Sequence, residues 1–567
     1  MNSEIKTEIK RIVMKNKKMT EYFSNLGCCP NTLVNKVLEE TVQKYPEKLA
    51  LVDPSNKDAL VGLKPDRYTY NQFDEAINRL ASGFFDLGIR KDDIVIIQLP
   101  NITEHIIVSY ALWKIGAIAS PVIVQFRTHE LSYIIELTKA KAFVTLSEFH
   151  GFDHLEMAKK LRSDFRELQH VISLPEIRTM MSSGKIEEDL SRGIEIDPDD
   201  IIQINWTSGT EANPKGCPHS HNHFIGLGEL CGLAAQMSAK DVILCPFPLQ
   251  YISSTAVFMF PAFQLGATYV LHHPFDLNVF LQQMQEEKAT YAGGSPAMHL
   301  MLLNHPDIDK YDLGSLRLMM TGSAPTPDYI VKTYKEKYGV EMVNFWGQNE
   351  LAGLPSGPID VPDPYRRALT FPQFGKRGVK WNTRNSECIE TMILDSSDKE
   401  LNSVGDVGEL VYKSAFCLPC YFRNPEMDEK SRVGDFFRTG DYFRIEEDNL
   451  LTFYGRKKDI IIRGGQNVSP EEIENILQYH PKISEVAVVG YPDPRLGEKA
   501  CAYVVPRPGE AISLDEIVSF MKEKDVAIFK LPERLEISEG LPRNPAGKVQ
   551  KKILRDDIER KIGGEDK

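Results

Sequence analysis

Apolar and polar positions follow two recurring rhythms along this chain. "DDIVIIQLP", "KAFVTL", "HVISL", "DDIIQINW" and "ATYVLHH" are short apolar runs bounded by turn-forming residues, the pattern of buried strands. "YNQFDEAINRLASGFFDLG" spaces its apolar residues three and four apart and predicts an amphipathic helix. Strands that alternate with helices predict an α/β fold. Two longer apolar regions, "HIIVSYALWKIGAIASPVIV" and "TAVFMFPAFQLGATYVLHH", are interrupted by Lys114, Gly116, Pro121, Pro261 and Gly266. A membrane span needs about 20 continuous apolar residues. Each region is therefore expected to be a buried helix followed by a strand, and no transmembrane segment is predicted.

The rhythm changes near the C-terminus. "FYGRKKDIIIRGGQN" packs glycines and charges around a short strand, and a compact pattern follows it. "SPEEIENILQYHP" reads as a helix with Pro470 early in it, "SEVAVVGYP" and "KACAYVVP" as strands, and "SLDEIVSFMKEK" as a capped helix. Two domains are predicted: a large one over 1–457 and a small α+β one over 458–567. The lysine-rich first twenty residues are expected to form a partly ordered arm.

At 567 residues and 42% hydrophobic, the chain can bury more than one core. The net charge of −13 argues against a general nucleic-acid binder, so any phosphate site must be local. The N-terminal stretch lacks the apolar core and cleavage site of a secretory signal, and a cytoplasmic address is expected. Nine scattered cysteines then predict reduced thiols and no disulfide framework. Cys417 and Cys420 in "CLPC" lack the βαβ context or second ligand pair that a redox or zinc site requires.

The stretch "INWTSGTEANPKG" holds the candidate chemistry. Thr207, Ser208, Gly209 and Thr210 follow a strand and offer hydroxyls and backbone N–H groups to phosphate oxygens, and Lys215 adds a mobile cation. The P-loop pattern GxxxxGK[ST] is absent, because Lys215 precedes Gly216 and no hydroxyl follows it. Alone, the stretch reads equally as a surface turn.

Further motifs follow in order: "TGSAP" from Thr321, "WGQNE" from Trp346, "RTGD" from Arg438, "YGRKKD" from Tyr454, "RGGQNVSPEEIE" from Arg463 and "PRNPAGKVQK" from Pro542. Together with the loop they resemble the adenylate-forming superfamily of acyl-CoA synthetases, luciferases and stand-alone adenylation domains, from about residue 30 to the C-terminus. The resemblance implies a large N-terminal domain of mixed sheets and helices in layers and a small mobile C-terminal domain. It also implies an AMP-forming ligase that joins a carboxylic acid to CoA through an acyl-adenylate, using ATP and Mg²⁺.

By the same resemblance, Thr207 to Thr210 and Lys215 hold the β- and γ-phosphates. Gly322, Ser323, Ala324 and Pro325 border the nucleotide, Trp346 lies against adenine, and Gly347, Gln348 and Asn349 complete that wall. Glu350 and Thr210 would hold Mg²⁺. Asp441 would accept the ribose hydroxyls, with Arg456 near the ribose and α-phosphate. Lys548 would stand between the carboxylate and the α-phosphate, where a flexible ammonium suits charge that develops in a transition state. Lys548, Glu350, Thr210 and Lys215 are thus the expected catalytic group. Lys458 takes the place of the hinge about which the small domain turns between half-reactions, and Arg463, Gly464 and Gly465 the CoA side.

The chain also departs from the family pattern. Asn349 replaces the usual threonine before the Mg-binding glutamate, and "PLQY" replaces a "PLFH"-like motif, so Gln250 or Tyr251 stands at the acyl entrance. His219, His221 and His223 would share a strand face as metal ligands if the strand continued, whereas a helix beginning there would splay them. Glycine at 347, where acetyl-CoA synthetases carry a tryptophan, opens space beyond acetate. Gly293 and Gly294 either widen the pocket further or serve backbone packing. No lysine or arginine lies in these pocket stretches, so a monocarboxylic acid larger than acetate is expected, medium-chain aliphatic or aromatic/alicyclic. The alternatives are a stand-alone enzyme loading a carrier protein and a catalytically silent nucleotide binder. Lys548, Glu350, Asp441 and Arg456 together oppose the silent binder. Assembly is left open, with a homodimer admissible.

Overall fold

The computed structural model describes residues 3–185, 193–207, 214–322, 326–464, 466–544 and 548–565. Three sheets build the large unit. An eight-stranded sheet runs through residues 351–356, 341–348, 318–322, 291–293, 242–245, 268–271, 49–52 and 67–69, and is parallel in its centre. A six-stranded sheet orders 216–220, 201–206, 118–121, 94–98, 142–145 and 170–173. A seven-stranded antiparallel sheet of residues 370–456 completes the unit. The smaller five-stranded sheet lies within 461–537, flanked by the helices Pro470–Leu477, Leu514–Glu523 and Lys551–Glu565. An α/β core in layers with a small α+β unit is therefore present.

The two long apolar regions form the helix Thr103–Lys114 before the strand Ile118–Pro121, and the helical stretch from Ile252 to Leu265 before the strand Thr268–Leu271. Among the described residues no helix is long and apolar enough to cross a membrane. The amphipathic helix is Tyr70–Asp86, begun by a capping box between Thr69 and Gln72. Ser513 and Glu516 cap the helix Leu514–Glu523 in the same way.

Two expectations are corrected. The N-terminal arm is a continuous helix, Ser3–Ser24, with Ile5, Ile9, Ile12, Asn16, Thr20 and Phe23 buried. Their spacing makes one helical face, which packs on Ile94, Ile96, Phe143 and Ile204 of the six-stranded sheet. Arg11 pairs with Asp428 at 3.3 Å, and Glu8 accepts from the Arg423 backbone N–H at 2.8 Å. The thiols are not all free either. Cys28, just beyond this helix, is bonded to Cys388, with Cα atoms 5.4 Å apart across 360 residues of sequence. Folding brings together two cysteines that no sequence spacing relates.

Candidate active site

The strands Ile201–Trp206 and Gly216–Ser220 pair antiparallel, with Trp206 opposite Gly216. At their open end Thr207 N–H donates to the Lys215 carbonyl at 3.0 Å, and Lys215 N–H donates to Thr207 Oγ1 at 3.2 Å. These bonds close the neck of the loop. Ser208, Gly209 and Thr210 at its tip lie outside the described residues, as do Ser323, Ala324, Pro325 and Gly465. Lys215 Nζ lies 5.5 Å from the centre of the Tyr421 ring and 3.7 Å from Met427 Sδ. Tyr421 OH in turn donates to Glu350 Oε1 at 2.9 Å, and Leu418 N–H donates to the Glu350 carbonyl at 2.7 Å. Burial and the Glu350 charge both push the Tyr421 phenol well up, so it remains a donor. Tyr421 and its segment were not foreseen. The only signal was an aromatic residue after "CLPC", and the contact spans 71 residues.

Asp441 and Arg456, expected at the ribose, form a cross-strand pair. They stand directly opposite on the strands Phe436–Ile445 and Leu450–Arg456, and Arg456 Nε approaches Asp441 Oδ1 to 3.7 Å. Asp441 Oδ2 accepts from Trp346 Nε1 at 2.9 Å and from Gln348 Nε2 at 3.2 Å. Burial raises the Asp441 pKa, against the pull of Arg456, Lys548 and these two donors. Trp346 is buried, with its ring edge-on to Phe443 at 5.2 Å. Gly347 is exposed, in the register irregularity between Trp346 and Gln348. Gly322 ends its strand where a Cβ would stand 2.4 Å from the Phe345 carbonyl, so only glycine fits.

Lys548 comes from the small unit into this cluster. Its backbone N–H donates to Asn544 Oδ1 at 2.9 Å, and Asn544 N–H donates back to its carbonyl. The Arg456 charge, then burial, lowers the Lys548 pKa to about 8, against Asp441, Glu471 and Asp459. Lys548 is exposed, in keeping with neighbouring charge leading over burial in this shift. Below the loop, Lys551 Nζ pairs with Glu474 at 2.8 Å and Glu471 at 3.1 Å and anchors the chain after Lys548. At the junction of the units, Arg555 donates to the Lys458 carbonyl at 2.9 Å and pairs with Asp459 at 2.8 Å. Arg463 pairs with Glu533 at 2.6 Å, and Gly464 has a φ of +57°.

On the acyl side, Gln250 Nε2 donates to the Leu99 and Val122 carbonyls at 3.2 Å each, which leaves Tyr251 as the side chain of this pair not committed to backbone. Burial pushes the Tyr251 phenol up to about 12. A Cβ on Gly293 would stand 2.5 Å from Phe258 Cζ, so that ring already occupies the space the glycine leaves. At Gly294 a Cβ would meet Met298 Cβ at 3.2 Å. Packing, the second of the two readings, accounts for both glycines.

The remaining clusters are inert. The strand stops at Ser220, so the three histidines do not share a face: His221 Nδ1 accepts from Val34 N–H and His223 Nδ1 from Ser220 N–H. Burial lowers His219 to about 4 and His221 to about 3, which keeps both neutral. Burial raises Cys417 and Cys420 to about 12, far from thiolate chemistry. Among the described residues no group of three or more His, Cys, Asp or Glu could hold a metal.

The chain is similar to known proteins over most of its length. The chain is 29% identical to a medium-chain fatty-acid–CoA ligase of Escherichia coli K12 over 532 residues, covering 92% of this chain and 90% of the relative. It is 30% identical to a crotonobetaine/carnitine–CoA ligase of Escherichia coli O7:K1 over 539 residues, covering 92% and 98%. The crystal structure of the anthranilate CoA ligase AuaEII with anthranoyl-AMP shares the fold, with a TM-score of 0.82 at 23% identity, covering 94% of this chain and 98% of that one. The family model for AMP-binding enzymes matches residues 38–422 and that for their C-terminal domain residues 472–548. Both models match in order over most of the chain, and the chain belongs to the AMP-binding enzyme family.

Proposed function

We propose that this protein is an AMP-forming carboxylate–CoA ligase acting on a monocarboxylic acid larger than acetate, medium-chain aliphatic or aromatic/alicyclic. The observation that carries the reading is the Asp441–Arg456 cross-strand pair, with Asp441 held by Trp346 and Gln348, toward which the small unit brings the Lys548 charge. In the first half-reaction a carboxylate oxygen attacks the α-phosphorus of ATP and pyrophosphate leaves. Both reactants are anions, and Lys548, Arg456 and Lys215 supply the cations that screen their approach and the departing charge. In the second, the CoA thiol gives up its proton and attacks the acyl carbon, and AMP leaves as the thioester forms. Asp441 holds the ribose throughout, and rotation about Lys458 would exchange Lys548 for the Arg463–Gly464 face.

Glu350 is suited to a magnesium ion. Tyr421 engages its Oε1, while Oε2 takes no hydrogen bond from the described residues. Magnesium takes one or two carboxylates and completes its shell with phosphates and water, so a lone carboxylate beside the phosphate loop fits it. When bound, the ion would neutralise charge on the leaving pyrophosphate.

Phe247, Phe258 and Tyr291 form a buried aromatic group beside Gly293, with no cation among them to pair a second carboxylate. The test is a panel of acids from acetate to octanoate, benzoate and cyclohexanecarboxylate, with ATP and CoA, read by pyrophosphate release and product mass. Larger monoacids should exceed acetate and yield the CoA thioester. Equal rates with acetate would reject the acid class, and acyl-AMP without thioester would reject CoA as acceptor.

A further inference from the structure

Asn349 occupies the place of a threonine in the family pattern, yet both ends of its carboxamide are engaged by backbone. Its Oδ1 accepts from Ile252 N–H at 3.1 Å, and its Nδ2 donates to the Trp206 carbonyl at 3.2 Å. Trp206 is the last residue of the strand that feeds the phosphate loop, and Ile252 begins the short helix after Tyr251. Other carboxamides hold the same segment. Asn205 Nδ2 donates to the Gln250 carbonyl at 3.0 Å, and Asn101 donates to the Phe247 carbonyl at 2.8 Å while accepting from Leu249 N–H at 3.1 Å. Gln250 ties the segment to Leu99 and Val122. Asn205, within the strand that feeds the phosphate loop, and Asn349, bonded to the last residue of that strand, both join the segment to the neck of the loop.

We propose that Asn349 is a positioning residue that fixes the acyl-entrance segment, and Tyr251 with it, to the strand leading into the phosphate loop. The assignment rests on the proposed adenylation reaction, in which a carboxylate oxygen must meet the α-phosphorus in a defined geometry. A link between the two walls acts on where the acid lies, whereas a direct phosphate contact would act on nucleotide binding. Threonine offers one oxygen, a bond closer to the backbone, and cannot reach two groups that Asn349 meets with two separate atoms.

Asn349→Thr and Asn349→Ala, assayed with the best acid of the panel, separate these roles. Loss of two hydrogen bonds should lower kcat/KM for the acid about five- to thirty-fold, with the KM for ATP within about two-fold of wild type, and threonine should behave like alanine. Full activity in Asn349→Thr, or equal losses toward acid and ATP, would overturn the proposal. Hydrogen exchange without substrates gives a readout independent of turnover. Peptides covering 247–256 should exchange faster in both variants, and unchanged exchange would overturn the link. If alanine prevents folding, Asn349→Asp serves instead, since it keeps the acceptor for Ile252 and sets a second acceptor against the Trp206 carbonyl. Wild-type protein that adenylates no acid would sink the proposed function, and exchange would still decide the link.

Discussion

The two oxygens of Asp441 face different neighbours: Oδ2 accepts from Trp346 and Gln348, and Oδ1 lies toward Arg456. Held in this way, the carboxylate presents Oδ1 already ordered for the ribose of the proposed reaction. Trp346→Phe keeps an aromatic face and removes the donor. It should lower kcat/KM for ATP about ten-fold, since a hydrogen bond to a charged group is worth somewhat more than a neutral one. The loss should shrink with 2′,3′-dideoxy-ATP, which has no hydroxyls for Asp441 to receive. An identical loss on both nucleotides would mean that the indole acts through the base or through packing. Asp441, Arg456 and Lys548 were legible in the sequence because each sits in a motif with a fixed neighbour pattern. The bond from Trp346 to Asp441 was not, because it joins two sheets across 95 residues of sequence. Tyr421 was missed for a related reason: its partner Glu350 comes close only through the fold.

Among the elements, the strands and the amphipathic helices could be read because burial imposes their periods directly on the chain. The first helix shows where that reading stopped. Its apolar residues Ile5, Ile9 and Ile12 keep helical spacing, but the lysines between them dominate the composition, and only the six-stranded sheet gives the narrow face a partner. Ile12 is fully buried, and Ile12→Ala should destabilise the large unit by about 2–5 kcal/mol. Scanning calorimetry should show the large unit melting earlier and the five-stranded unit unaffected. An unchanged melting profile would place this helix outside the cooperative fold. The Cys28–Cys388 bond was beyond sequence reading altogether, because a pairing across 360 residues carries no local signature.

For the molecule as a whole, the proposed chemistry depends on a lysine of the small unit whose charge acts on Asp441 of the large one. The Arg456 charge and burial lower Lys548 to about 8, so its ammonium is lost as pH rises through that value. Adenylation, followed by pyrophosphate release, should therefore decline on the alkaline side of about pH 8, and Lys548→Ala should lower it by about 10²-fold or more. Thioester formation from supplied acyl-AMP should show neither effect strongly. Equal losses in both half-reactions would mean that the small unit does not exchange roles between them.

The first helix also sets a schedule for synthesis. Its apolar face meets its sheet only once the chain has grown past Ile204, and Arg11 waits for Asp428, 417 residues downstream. At roughly 5–20 residues per second, that last contact forms about 20–80 seconds after the helix leaves the ribosome. For that interval the nascent chain carries a cationic amphipathic segment whose Arg11 lacks its partner Asp428. Docking of this helix fastens the segment bearing Tyr421, through Arg11 to Asp428 and Glu8 to the Arg423 backbone.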